Sequence, residues 1–219
     1  MRILGFVLIG CLTGAGVAAA QTDVTPATPN ADAHFVVGWQ NLHKEQSIQH
    51  YNDWLNGIFY GGAGAGWYWN DHLKTQIDIG AGTRGTQYRF EDIVVNGVHT
   101  GQSSRVSVRQ DSVSIGQQYQ FFRNQWFHPH VGGGIDLARE TVTEQYQPIF
   151  FFDNATRTSG QLAPAHPDTT DHNFIARPFA EAGFKAYMTR RAFFTGDSRV
   201  MMRSGIDEVL FRFGFGIDF

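Results

Sequence analysis

Residues 211–219 read Phe211-Arg212-Phe213-Gly214-Phe215-Gly216-Ile217-Asp218-Phe219, or FRFGFGIDF. Large apolar side chains occupy every second position, and Arg212, Gly214, Gly216 and Asp218 stand between them. A period of two belongs to an extended strand, whose side chains alternate between its faces. One face here is almost wholly aromatic and the other is small or charged.

The alternation recurs upstream. Leu73, Thr75, Ile77, Ile79 and Ala81 alternate with Lys74, Gln76, Asp78, Gly80, Gly82 and Arg84. Val113, Ile115, Tyr119 and Phe121 oppose Ser112, Ser114, Gly116, Gln118 and Gln120, with Val106 and Val108 out of phase, which predicts a bulge or a strand start nearer Asp111. Phe127, Val131, Ile135 and Leu137 oppose His128, His130, Asp136 and Glu140. Phe174, Ala176, Ala180, Ala182, Phe184 and Met188 oppose Arg177, Glu181 and Lys185, and Phe194, Val200 and Met202 oppose Thr195, Asp197, Arg199 and Arg203. The segments Ala33 to Lys44 and Ile58 to Trp69 bring the number to eight. Short turns beginning at Asn70, Arg123 and Thr189 alternate with longer polar connections, including Glu91 to Ser104 and Tyr146 to His172. The pattern predicts an all-β fold: an eight-stranded antiparallel up-and-down transmembrane β-barrel, with both ends on the short-turn side.

Composition agrees. Among 219 residues, 25 are Gly and 19 are Phe, which suits β structure. The net charge of -3, without a dense Lys/Arg cluster, argues against a nucleic-acid partner. Residues 1–20 read as an export signal: Arg2, an apolar run, then Ala18-Ala19-Ala20 before Gln21. The sequence Leu8-Ile9-Gly10-Cys11 offers the competing possibility of a lipidated Cys11. Residues 21–31 read as a flexible segment and 32–219 as the barrel domain. Cleavage after Ala20 removes the single cysteine, and with it disulfide and thiolate chemistry. Beyond the signal no run of about 18 apolar residues exists, so a membrane-spanning form must be a closed barrel.

The chemistry of the two faces assigns them. A soluble barrel would need its apolar parity to fill a narrow interior, yet the segment from Phe174 offers mostly alanine and the last segment four Phe. Lipid imposes no such shape constraint. The other parity carries Lys74, Arg84, Arg177, Lys185, Arg199, Arg203 and Arg212 against Asp78, Asp136, Glu140, Glu181, Asp197, Glu208 and Asp218, an evenly balanced set suited to internal pairing in a lumen. Aromatic residues near strand ends, among them Trp39, Trp67, Tyr68, Trp69, Tyr119, Trp126, Phe127 and Tyr187, suit interfacial girdles.

With its export signal, eight alternating segments and final aromatic run, the chain resembles the OmpA/OmpX-type outer-membrane β-barrel superfamily of Gram-negative bacteria. The resemblance implies the bacterial outer membrane as location and outer-membrane lipid as surroundings. It also implies that Phe211, Phe213, Phe215, Ile217 and Phe219 form a signal for the barrel assembly machinery.

No cofactor, catalytic residue or metal ligand is assigned. His128-Pro129-His130, with Asp136 or Glu140 nearby, and the group His166, Asp168, Asp171 and His172 have ligand-type side chains, but lumen filling and a solvated loop account for them. The glycine runs at 61–66 and 132–134 lack the Lys-Ser/Thr of a phosphate loop. The apolar row Ile149-Phe150-Phe151-Phe152 requires a partner. The expected function is that of a non-enzymatic outer-membrane protein with a structural or surface-interaction role, meeting an extracellular ligand or host surface through residues 146–172. A narrow pore and a lipid-modifying enzyme are the alternatives.

Overall fold

The computed structural model describes residues 29–43, 54–95, 97–121, 126–153 and 156–219. The signal at 1–20, Cys11, residues 21–28 of the flexible segment and the turn at Arg123 lie outside the described residues. The elements are β1 (Ala31–His43), β2 (Trp54–Tyr68), β3 (Leu73–Gly82), β4 (Gly85–Val95), β5 (Val98–Gln120), β6 (Phe127–Tyr146), β7 (Ile149–Asp153), β8 (Thr158–Ala163), β9 (Thr169–Tyr187), β10 (Ala192–Met202) and β11 (Ile206–Asp218).

Neighbours in the main sheet run β3-β2-β1-β11-β10-β9-β6-β5-β4, and β3 also pairs with β5. That last pairing closes a ring of eight antiparallel strands, in which β4 continues the β3 position upward along β5. The final strand seals against the first, with Phe215 opposite Phe35 and Arg212 opposite Gly38. Backbone bonds Asn30 N–H to Phe219 O (3.0 Å) and Phe219 N–H to Ala31 O (2.9 Å) hold the two ends together.

The apolar parity faces out. Phe35, Ile79, Val113, Leu137, Phe213 and Phe215 are all exposed, whereas Arg212 on the opposite parity is 1% exposed. This is the burial of a lipid-facing wall around a polar interior, the reverse of a soluble barrel.

Several local expectations are corrected. β5 itself carries no bulge at Val106 and Val108: it pairs with β6 in unbroken register from Ser104 to Gln120, both valines point inward and are buried, and the irregularity lies on the facing β3–β4 side. Arg84 is not in the lumen but exposed. Ala81 pairs with Asp111 and Gly85 with Val108, so the β3–β4 side carries one residue more than β5 at Thr83-Arg84. One extra residue inverts the alternation beyond it. Arg203 also leaves the lumen; its side chain is 61% exposed and meets Asp207 at 3.3 Å. Tyr68 and Tyr187 are not girdle residues, since their hydroxyls turn inward to Asp32 and Asp218.

The long polar connections are themselves structured. Residues 91–104 belong to the β4–β5 hairpin, with Gly97 at φ 81° in its turn, a conformation open to glycine. Ile149 to Asp153 pair with Thr158 to Ala163 as a separate two-stranded hairpin, giving the apolar row a partner strand. A transmembrane strand needs about 9–11 residues. Strands β5, β6 and β9 have 23, 20 and 19, so one side of the barrel projects as a sheet well beyond the membrane.

Candidate functional site

The inward residues stack in layers from the end where the chain termini meet. In the first layer, Asp32 accepts from Lys74 Nζ (3.1 Å), Lys185 Nζ (3.3 Å) and Tyr68 OH (2.8 Å), while Lys185 also donates to Asp218 (2.5 Å). Lys185 lies 3.8 Å from the centre of the Phe193 ring, which supplies a cation–π contact to this buried ammonium. His34 Nε2 sits 2.9 Å from Asp78 Oδ1.

Two arginines span the next layer. Arg199 donates to Glu181 Oε2 (2.7 Å), Asp78 Oδ2 (2.8 Å) and Ser114 Oγ (2.6 Å). Its guanidinium also lies 4.1 Å from the Phe179 ring centre. Arg212 donates to Asp197 Oδ1 (2.8 Å) and stands 3.4 Å from Asp78 and 3.6 Å from Glu181. The fork geometry of arginine suits a site where one cation must serve several carboxylates. An apolar cluster of Val36, Tyr60, Phe179, Met201 and Leu210 packs beside this layer.

Farther out, Arg177 donates to Asp136 Oδ2 through Nε and Nη2, both at 3.1 Å, and pairs with Glu208, to which Gln40 also donates (2.9 Å). Above it, Leu42, Leu55, Ile58, Val106 and Val108 close the interior with an apolar collar, and Val142 packs against it. A charged ion crossing the collar would shed its hydration with no polar group to replace it.

Of the predicted lumen residues, Lys74, Asp78, Asp136, Glu140, Arg177, Glu181, Lys185, Arg199 and Arg212 are buried, Asp197 has a side chain 6% exposed, and Arg84 lies outside. Glu208 and Asp218 are buried as well. The expected balance of charge is overturned: with Arg84 and Arg203 outside and Asp32 inside, five cations face eight carboxylates among the described residues. Asp32 lies one residue before the first strand expected from the sequence, which starts at Ala33, and His34 lies within that strand on the face opposite Phe35, Val37 and Trp39, to which no role was assigned. Their signal is simple continuity of parity with Val36 and Gln40. The collar escaped because its side chains are apolar at positions of the polar parity.

His130 is buried opposite Gly183, and His128 packs against Tyr187 with ring centres 5.2 Å apart. In the outer segment, His166 packs on Tyr146, Asp168 accepts from Gln145 Nε2 (3.1 Å) and His172 Nδ1 meets Thr141 Oγ1 (3.1 Å). His128, His130 and His172 lie on the β6–β9 ladder, and His166 and Asp168 lie in the segment that leads into β9. Among the described residues, no three His, Cys, Asp or Glu side chains gather as a metal site.

The other distinctive surface is the projecting sheet. Tyr88, Phe90 and Val94 on β4 and Phe150 and Phe151 on β7 are all exposed. The β7–β8 hairpin is rooted to the wall by Gln147 N–H donating to Ser103 O (3.0 Å) and by Ile149, which is buried.

No curated protein matches the chain. Among solved structures it is similar to Neisserial surface protein A at 12% identity, with 87% of this chain and 97% of that one covered at a TM-score of 0.54. It is also similar to the outer membrane protein OprG from Pseudomonas aeruginosa at 12% identity, with 90% and 99% covered at a TM-score of 0.52. Likeness at these identities concerns the fold alone. Residues 7–219 match the family described as "Outer membrane protein beta-barrel domain". A closed ring of eight strands, an apolar outside, a polar inside and a family match over almost the whole length lead to one conclusion: this chain belongs to the outer membrane protein beta-barrel family and resides in the bacterial outer membrane.

Proposed function

We propose that the chain is a non-enzymatic barrel, sealed across the membrane, whose work is done by the sheet and hairpin projecting from it. The observation that carries this reading is the pairing of a lumen filled from Asp32 to the Leu42 collar with aromatic side chains exposed beyond the membrane end of that seal. Exposed apolar residues on a projecting sheet favour a macromolecular surface as partner. Residues 146–172 supply part of that surface and β4 extends it.

The reading is tested by replacing residues 149–163 with a short Gly/Ser turn and reconstituting both proteins in planar bilayers. Both are expected to retain heat-modifiable migration on SDS gels and to pass no discrete current. Cells displaying the replaced form should lose adhesion to host-cell surfaces relative to cells carrying equal amounts of the parent. Stepwise conductance of the parent would support the pore instead, and unchanged adhesion would remove the hairpin from the interface.

Residues 1–20 act as a removed export signal in this proposal, and the terminal Phe211, Phe213, Phe215, Ile217 and Phe219 act as the address for the assembly machinery. The Phe219→Ala variant is expected to accumulate less in the outer membrane while its inserted fraction keeps parental thermal stability, because the side chain is 65% exposed and little packing is lost. Parental amounts of inserted variant would argue against the address.

A further inference from the structure

The outer wall carries a cluster of charge beside otherwise apolar, outward-facing positions. Arg84 follows the end of β3, Arg109 lies on β5 and Arg139 on β6, and all three are exposed. They are neighbours through the ladders: Asp111 pairs with Arg139, and Gly85, next to Arg84, pairs with Val108, next to Arg109. Asp111 is the carboxylate facing this group, at 3.2 Å from Arg109. Among the described residues Arg84 and Arg139 have no ion-pair partner. The cluster therefore keeps an excess of positive charge.

Its depth is informative. Arg84 and Arg139 stand 11 and 12 residues along their strands from Leu73 and Phe127, and Arg109 stands 11 from Gln120. A rise of about 3.3 Å per residue at a tilt of roughly 45° places them about 26–28 Å above the lower strand ends. An outer-membrane barrel has an apolar band about 25 Å tall. The three guanidinium groups thus meet the headgroup level of the outer leaflet.

Directly beneath lies a groove of about 960 Å³ on the outer wall, bordered by Arg139 and Asp111 and lined by Ile79, Val113, Leu137 and Phe174. Its floor includes Gly61, where an added Cβ meets open space. Guanidinium groups recognise phosphate by paired N–H bonds, and the apolar groove continues from them toward the bilayer centre.

We propose that this wall binds a phosphate-bearing lipid of the outer leaflet, its phosphate held by Arg84, Arg109 and Arg139 and one acyl chain lying in the groove. The site is independent of the projecting sheet and its partner.

The test uses the full protein in a neutral detergent, titrated with phosphatidic acid, with diacylglycerol of the same chains, and with inorganic phosphate. Phosphatidic acid should bind at least about tenfold more tightly than either of the others. The Arg109→Gln/Arg139→Gln variant should lose about tenfold in phosphatidic acid affinity, and Gly61→Phe, which fills the groove without altering charge, should weaken it as well. Heat-modifiable migration establishes that each variant is folded. Equal binding of diacylglycerol would reduce the site to an apolar surface, equal binding of inorganic phosphate would remove the groove from it, and unchanged affinity in both variants would overturn the proposal.

Discussion

Replacing Arg212 with methionine is expected to destabilise the barrel by about 3–5 kcal/mol, the usual cost of removing one partner from a buried ionic cluster. The side chain is 1% exposed and serves Asp197 directly, with Asp78 and Glu181 at 3.4 and 3.6 Å. Methionine keeps much of the volume but leaves Asp197 without its cation, in a lumen that already holds more carboxylates than cations. The urea midpoint of the heat-modifiable band, measured in lipid vesicles, reads the loss. Adding Asp197→Asn to Arg212→Met should recover part of it, because the stranded charge is then gone. By contrast, Arg203→Ala should shift stability by no more than about 0.5 kcal/mol, as an exposed ion pair contributes little. Equal midpoints for the Arg212 and Arg203 variants would mean that water, not the ionic cluster, solvates these carboxylates.

A second large effect is expected from Gly64→Leu. An added Cβ there would overlap Asp78 Oδ1 and the His34 ring, the two groups that face each other at 2.9 Å across the lumen. Overpacking alone costs roughly 1–3 kcal/mol. Displacing Asp78 also separates it from Arg199, leaving charged hydrogen-bonding groups unsatisfied at a further cost of about 1–3 kcal/mol. Gly61→Leu is the contrasting change on the same strand, since its Cβ points into open space on the outer wall. The same urea titration should separate the two variants widely. Similar midpoints would show that the lumen around Gly64 relaxes freely, which its glycine-lined packing argues against.

The closed ring was legible in the sequence because alternation is a local property that each strand writes for itself. Phe211 to Phe219 and Leu73 to Ala81 each assign their own faces without reference to any neighbour. The short turns at Asn70 and Thr189 set antiparallel order, and the unequal connections set which end projects. The polar connection of 91–104 does not announce its strands in the sequence because they stand beyond the membrane, where both faces meet water and the alternation fades. The β7–β8 hairpin was hidden for a similar reason: its polar strand, Thr158 to Ala163, carries no apolar parity.

The sequence by itself determined compartment, strand number and the identity of the two faces, since lipid and a narrow lumen select side chains position by position. Only the tertiary structure decided which charges meet. Asp78 reaches Arg199 across 121 residues of chain, and Asp32 reaches Lys185 across 153, contacts set by the stagger of strands around the ring. The single extra residue at Thr83-Arg84 then turned Arg84 from a presumed lumen charge into part of an outer-wall cluster. Register is a relation between strands, so no alternation within one strand records it.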